Sequence, residues 1–238
     1  MKRNRLRWLT ARPIAHRGYH DVRRGRPENT LAAFDAAVEA RYGIECDVHI
    51  SADGIPIVFH DDELGRLTDE QGPVRDRTAA ELANLRIAGT GQRIPTLDQL
   101  LALVAGRVPL VIELKAVPGR HAGLAAETVA RLKRYAGPAA LMSFDPGLIA
   151  AVRAADPTIP RGLTAMGDWR WALDLTRAAL GLGVDFISYH IEDLPTPMPV
   201  FAHRVLGIPL ICWTVRTDEQ RRKAEKWTDQ ITFEGFAA

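Results

Sequence analysis

Cysteine is nearly absent: Cys46 and Cys212 are the only two in 238 residues. Two thiols cannot staple a small secreted scaffold, so the chain relies on a core, and a reducing compartment suits it. No apolar run approaches the roughly 20 residues of a membrane-spanning helix. Neither sign of charge dominates, with 31 Lys+Arg against 29 Asp+Glu, which offers no electrostatic footprint for nucleic acid. The glycine-rich phosphate loops of nucleotide-binding sheets are missing as well. The opening run MKRNRLRWLT is basic with no apolar stretch behind it, unlike a secretory signal, and reads as a solvated N-terminus. These absences predict a cytoplasmic chain without nucleic-acid partners or stable membrane insertion, and they set no oligomeric state.

What is present is a 47% hydrophobic chain, enough for a sizeable core. Short apolar, β-branched runs alternate with longer helical patterns almost end to end. The predicted strands are Pro13–His16, Gly43–Ile50, Pro56–His60, Leu110–Lys115, Ala140–Ser143, Arg161–Thr164, Asp185–Tyr189 and Pro209–Val215. Helical patterns cover Thr30–Arg41, Leu97–Ala105, Leu124–Tyr135, Pro146–Ala155, Trp169–Leu182, Pro197–Leu206 and Asp218–Lys226, with Thr96 and Thr217 placed to cap two of them. The turn SADG joins the second and third strands without a helix. Residues 61–93 then mix charge with Gly and Pro and read as a small insertion. The expected fold is a (β/α)8 TIM barrel in a single domain over 1–238, with an open doubly wound sheet as the competing architecture.

Polar residues interrupt these strands at their C-terminal ends. In GIECDVHI, Glu45 and Asp47 alternate onto one face, roughly 6.6 Å apart along the strand, while Cys46 and Val48 take the other. A carboxylate pair facing a barrel interior repels and is costly to desolvate unless a basic side chain or a cation lies between. LVIELKA repeats the spacing with Glu113 and Lys115, IVFHD ends on His60-Asp61, and the first strand ends on His16-Arg17. In a barrel these strand ends converge on a single mouth, where chemistry is done. Hard oxygen donors suit one divalent cation, Mg2+ or Ca2+, better than zinc. Arg17 and Lys115 can hold a phosphate, and two histidines can take and give a proton. Together these residue types point to metal-assisted phosphodiester cleavage.

The segments IAHRG, PENTLAAF, IECDVHISADGIPIVFHDDELGRLT, IPTLDQLL, LVIELK, LMSFDP and ICWTV, in that order, resemble the glycerophosphodiester phosphodiesterase family over roughly residues 13 to 216. The resemblance implies a TIM barrel, Ca2+ or Mg2+, and hydrolysis of a glycerophosphodiester to glycerol 3-phosphate and an alcohol. It implies His16 and His60 as general acid/base and Glu45, Asp47 and Glu113 as metal ligands. It also implies that Arg17 and Lys115 lie on the phosphate, and that Trp213 forms an aromatic wall rather than simple barrel packing. Glu28 either meets substrate hydroxyls or orders its loop. Two departures stand out: Arg216 follows WTV where the family often has Asn, and ITFEG replaces the usual closing ITD with its Asp-Pro. Nothing catalytic is expected at ITFEG.

Other residues fit blander roles. His49 reads as a rim histidine, His20, His121, His190 and His203 as loop or surface residues, and Cys46 and Cys212 as packing under the helices. Asn29 or Thr30 caps the first helix, and Phe144 and Tyr189 are candidates for the mouth. The competing functions are a phospholipase-C-type or sphingomyelinase-D-like lyase on the same barrel, and a silent barrel that only binds phosphodiesters.

Overall fold

The computed structural model describes residues 5–167 and 181–238. Nine strands form one sheet: β1 (Ile14–Ala15), β2 (Gly43–Ile50), β3 (Pro56–Val58), β4 (Leu110–Leu114), β5 (Ala139–Ser143), β6 (Arg161–Ala165), β7 (Phe186–His190), β8 (Leu210–Val215) and β9 (Gln230–Phe233). Eight of them are parallel and close on themselves, β9 and β2 both pairing with β1, through Ile14↔Thr232 and Ile14↔Gly43. The architecture is a (β/α)8 barrel, as the alternating pattern predicts.

The membership of the ring differs from the sequence reading in one place. Pro56–His60 is not a stave: β3 folds back antiparallel on β2, with Val48 opposite Val58 and Ile50 opposite Pro56. The reason lies in the connection. A parallel crossover needs a dozen or more residues, and a tight turn permits only a hairpin. The missing eighth stave is β9, a four-residue strand that begins on polar Gln230 and therefore lacks an apolar signature.

Helices pack outside the ring. Those flanking the described strands are α1 (Leu31–Glu39), α2 (Ala79–Leu82), α3 (Leu97–Val104), α4 (His121–Leu132), α5 (Pro146–Ala155), α6 (Pro197–Arg204) and α7 (Asp218–Trp227). Thr96 and Thr217 do start α3 and α7, each in a reciprocal capping box with Gln99 or Gln220. The predicted helix Trp169–Leu182 falls largely on residues 168–180, outside the described residues. Alternate strand residues such as Ala15, Ile44, Cys46, Ile112, Leu141 and Cys212 face these helices in one buried cluster. Both cysteines therefore sit under the helices, as expected.

The opposite parity fills the barrel. Ile14, Val111, Ala140, Phe186 and Ile211 pack with Leu6 and Leu9. Gly162 makes room there, since a Cβ on it would meet the Phe186 ring at 2.3 Å. Within the basic opening run, Leu6 and Leu9 thus form a plug rather than a solvated N-terminus, and Arg5 anchors it on Asp185 at 2.7 Å. Residues 61–93 lie over their own small core, in which Leu64, Val74, Leu82 and Ile87 cover Ile57 and Phe59 of the hairpin. Among the described residues no helix is long and apolar enough to cross a membrane.

The plug is testable. Leu9 is 1% exposed, so Leu9→Ala should cost about 2–5 kcal/mol of unfolding free energy by urea titration. A loss below about 0.5 kcal/mol, the level of an ordinary surface change, would return this segment to the solvent.

Candidate active site

The end of β1 sets the mouth. Arg17 takes a left-handed backbone (φ 55°) and Gly18 follows at φ 81°. Gly18 lies so close to α1 that a Cβ on it would come within 2.9 Å of the Ala33 backbone, so the turn demands glycine. That turn directs the Arg17 N–H to Glu45 Oε2 at 3.0 Å and the Arg17 guanidinium to Glu28 Oε1 at 2.7 Å and near Asp47 Oδ2 at 3.5 Å. Thr30 caps α1 through the Ala33 N–H. Asn29 does something else: buried, it donates to Asp47 Oδ2 at 2.8 Å and accepts the Asp47 N–H at 3.3 Å.

Glu45, Asp47 and Glu113 are all buried, and one oxygen from each lies within 4.8 Å of the others. Lys115 Nζ reaches Asp47 Oδ1 at 2.8 Å and Glu113 Oε1 at 2.5 Å. Burial, then the charges of Asp47 and Glu113, drives Glu45 well above the usual carboxylate range. Burial raises Glu113 too, against the pull of Lys115. Asp47 is also buried, but Lys115, His60 and Arg17 outweigh that burial and hold it low. Three carboxyl groups thus outnumber the two cations in an all-oxygen cluster. That donor set fits a hard divalent cation.

Two histidines flank the cluster, and each is braced in the same way. His16 Nδ1 lies 2.7 Å from Glu234 Oε2, while Arg216 Nε donates to Glu234 Oε1 at 2.6 Å. His60 Nδ1 lies 2.6 Å from Asp61 Oδ1, while Arg66 Nε donates to Asp61 Oδ2 at 2.5 Å. With Nδ1 engaged, Nε2 of each ring is left for the mouth; His16 Nε2 is 3.9 Å from Glu45. Burial holds both histidines below their usual value. Asp61 is held at about 2, where burial is outweighed by hydrogen bonds from Arg66 and His60. His16, His20 and Arg216 likewise overcome burial to keep Glu234 well below the carboxylate range. Arg66 also grips Glu28 at 2.7 and 3.1 Å, so the loop after β1 and the loop after β3 are clasped together.

A cavity of about 140 Å³ runs over these groups. Its far side is aromatic: Trp213 meets Phe144 edge-on, with centroids 5.5 Å apart, and His190 at 5.0 Å. His16, Arg17, Glu45, Asp47, His60, Glu113, Lys115 and Trp213 therefore converge, with Glu28 one contact behind Arg17. Four expectations change. His49 is buried rather than at the rim, and its Nε2 donates to the His60 carbonyl at 3.1 Å. His190 lines the mouth, braced by Asp193 at 2.9 Å. Tyr189 points outward among the helices, whereas Phe144 does line the mouth. Glu234, within the ITFEG segment set aside above, touches His16. The missed signal was positional: ITFEG follows the last helix, where a closing barrel strand must deliver its next inward side chain.

An eight-stranded barrel with paired histidines, buried carboxylates and phosphate-sized basic groups at its C-terminal mouth is built as a hydrolase of phosphate esters. The family model for the glycerophosphoryl diester phosphodiesterase family matches residues 16–232, and the chain belongs to that family. It is 30% identical over 234 residues to the glycerophosphodiester phosphodiesterase of Caldanaerobacter subterraneus, covering 92% of this chain and 91% of that one. YhdW of Bacillus subtilis, which carries the same enzyme name, is 41% identical over a shorter stretch of 114 residues, 45% of this chain and 46% of that protein. Among solved structures, an Oleispira antarctica phosphodiesterase in complex with sn-glycerol-3-phosphate superposes with a TM-score of 0.83 at 27% identity, covering 95% of this chain and 94% of that one. The chain is a phosphoric diester hydrolase.

The clasp predicts a separable effect. Arg66 is 45% exposed, so its ion pairs contribute under about 1 kcal/mol to stability. Arg66→Ala should leave the melting temperature within a few degrees of wild type yet lower kcat about 10-fold or more, because Asp61 and Glu28 lose their shared donor. Unchanged kcat would show that the clasp does not position His60.

Proposed function

We propose that this chain hydrolyses glycerophosphodiesters to glycerol 3-phosphate and an alcohol, using one divalent cation, Mg2+ or Ca2+. The observation that carries this reading is the convergence of two braced histidines on a buried three-carboxylate cluster in which acidic groups outnumber basic ones. The Oleispira relative, with a glycerol 3-phosphate product, supports a small phosphate ester as substrate.

Glu45, Asp47 and Glu113 would hold the cation, which when bound supplies Lewis-acid polarisation of the phosphoryl oxygens. Arg17 and Lys115 bind the phosphate and offset its charge as it builds. Of His16 and His60, one removes a proton from the attacking oxygen and the other delivers one to the leaving alcohol. Trp213, with Phe144, forms an apolar wall that orients the glycerol part and excludes water. Both Glu28 oxygens are occupied by Arg17 and Arg66, which favours loop ordering over contact with substrate hydroxyls. We further propose that residues 1–238 act as a single domain, with 61–93 a small insertion over one rim, in the cytoplasm. A full set of chemically competent groups argues against a silent barrel.

Three measurements test this reading. Excess chelator should abolish release of glycerol 3-phosphate, and Mg2+ or Ca2+ should restore it; undiminished turnover in metal-free protein would remove the cation. His16→Ala and His60→Ala should each lower kcat by roughly 10²–10⁴-fold with the fold intact by circular dichroism. Glu234→Gln keeps the shape but not the charge behind His16, and should lower kcat about 10–100-fold at similar KM. Wild-type kcat in Glu234→Gln would reduce Glu234 to a structural contact.

A further inference from the structure

A second cavity opens beside the mouth, about 420 Å³ in volume, between the loop after β1 and the chain after β9. Its wall is arginine-rich, with Arg23, Arg24 and Arg26 along one short loop. The loop is built to a fixed shape. Asp21 and Arg26 bridge antiparallel, through N–H···O contacts of 2.7 and 3.1 Å. Between them a single 3-10 turn, Val22–Arg24, is capped by the Asp21 side chain and ended by Gly25 at φ 71°.

The charges there are unbalanced. Three guanidiniums face one carboxylate, Asp21, which pairs with Arg24 at 3.3 Å. Arg23 and Arg26 have no carboxylate partner among the described residues. The Arg26 guanidinium lies over the Tyr19 ring at 5.5 Å, and its Nε is buried with no hydrogen-bond partner. His20 Nε2, also buried, lies 3.6 Å from Glu234, an ion-pair distance rather than a hydrogen bond. Guanidiniums that line a cavity without carboxylate partners leave positive charge that an oxyanion would balance.

One residue links the cavity to the chemistry. Glu234 Oε2 contacts His16 in the mouth on one side and approaches His20, which lines the cavity, on the other; the next residue, Gly235, is itself cavity wall. We propose that this cavity is the subsite for the alcohol part of the substrate and that it selects alcohols carrying an additional oxyanion, a phosphomonoester foremost. Guanidiniums match phosphate in planar, two-pronged geometry, and they repel a quaternary amine. The inference rests on the phosphodiesterase reading above.

The test compares kcat/KM on three glycerophosphodiesters whose alcohols are choline, glycerol and inositol 4-phosphate, in wild type and Arg23→Ala/Arg26→Ala. Wild type should favour the phosphorylated alcohol over choline, and the double variant should reduce that ratio about 10-fold or more, the scale of one charge-assisted hydrogen bond. An unchanged ratio, or an equal loss on all three substrates, overturns the subsite. Turnover of none of them would remove the phosphodiesterase reading instead. The cavity is then read by titrating inorganic phosphate into metal-free Arg17→Ala protein by calorimetry. Binding that disappears when Arg23→Ala/Arg26→Ala is added sustains an oxyanion site, and absence of any such binding overturns it.

Discussion

Three carboxylates buried within 4.8 Å of one another dominate this molecule. Nothing in a barrel interior favours such an arrangement, since each charge is costly to desolvate and each repels the others. The surroundings are explicable as the means of holding it. Lys115 enters between Asp47 and Glu113, and Asn29 takes both a side-chain and a backbone contact of Asp47. Arg17 is turned into a left-handed conformation so that its N–H faces Glu45 and its guanidinium faces Asp47. Even so, Glu45 and Glu113 remain raised above the ordinary carboxylate range. Site and fold oppose each other here, and a divalent cation held by the three carboxylates would resolve the opposition.

The N-terminal plug answers the same problem from the other end. A barrel whose upper interior is spent on charge has less apolar interior with which to hold itself together. Leu6 and Leu9 extend that interior downward, packing on Ile14, Val111, Phe186 and Ile211. Outside the ring, the helices and alternate strand residues form the large cluster that contributes most of the stability. The division is one of parity: the same strands send apolar residues outward and, at their upper ends, polar residues inward.

Parity is also why so much was legible. Glu45, Asp47 and Glu113 announce themselves as charges inside apolar strands, and His16-Arg17 and His60-Asp61 as polar strand ends, so the mouth could be assembled from periodicity. The barrel followed from alternation. Long-range pairing was not legible. Pro56–Val58 has the composition of a stave, and only the brevity of SADG betrays the hairpin. Gln230–Phe233 has little strand signature and becomes a stave because the ring must close on β1. The role of Asn29, the burial of His49, and the site-lining positions of His190 and Phe144 depend on approaches between distant segments that no local spacing encodes.

Glu234 brings these strands of reasoning together. The strand that closes the barrel leads directly into the carboxylate behind His16, so closure of the ring and the bracing of that histidine depend on the same segment. The two histidines then stand in matching relays, His16–Glu234–Arg216 and His60–Asp61–Arg66. In each, the arginine keeps the carboxylate ionised, and the carboxylate fixes Nδ1 so that Nε2 is free for the mouth. Arg216 and the ITFEG segment are where the sequence departs from the pattern it resembles, and Arg216 contacts Glu234 of that segment at 2.6 Å. The relay behind His16 is thus closed by two segments distant in the chain, with Arg216 following β8 and Glu234 following β9.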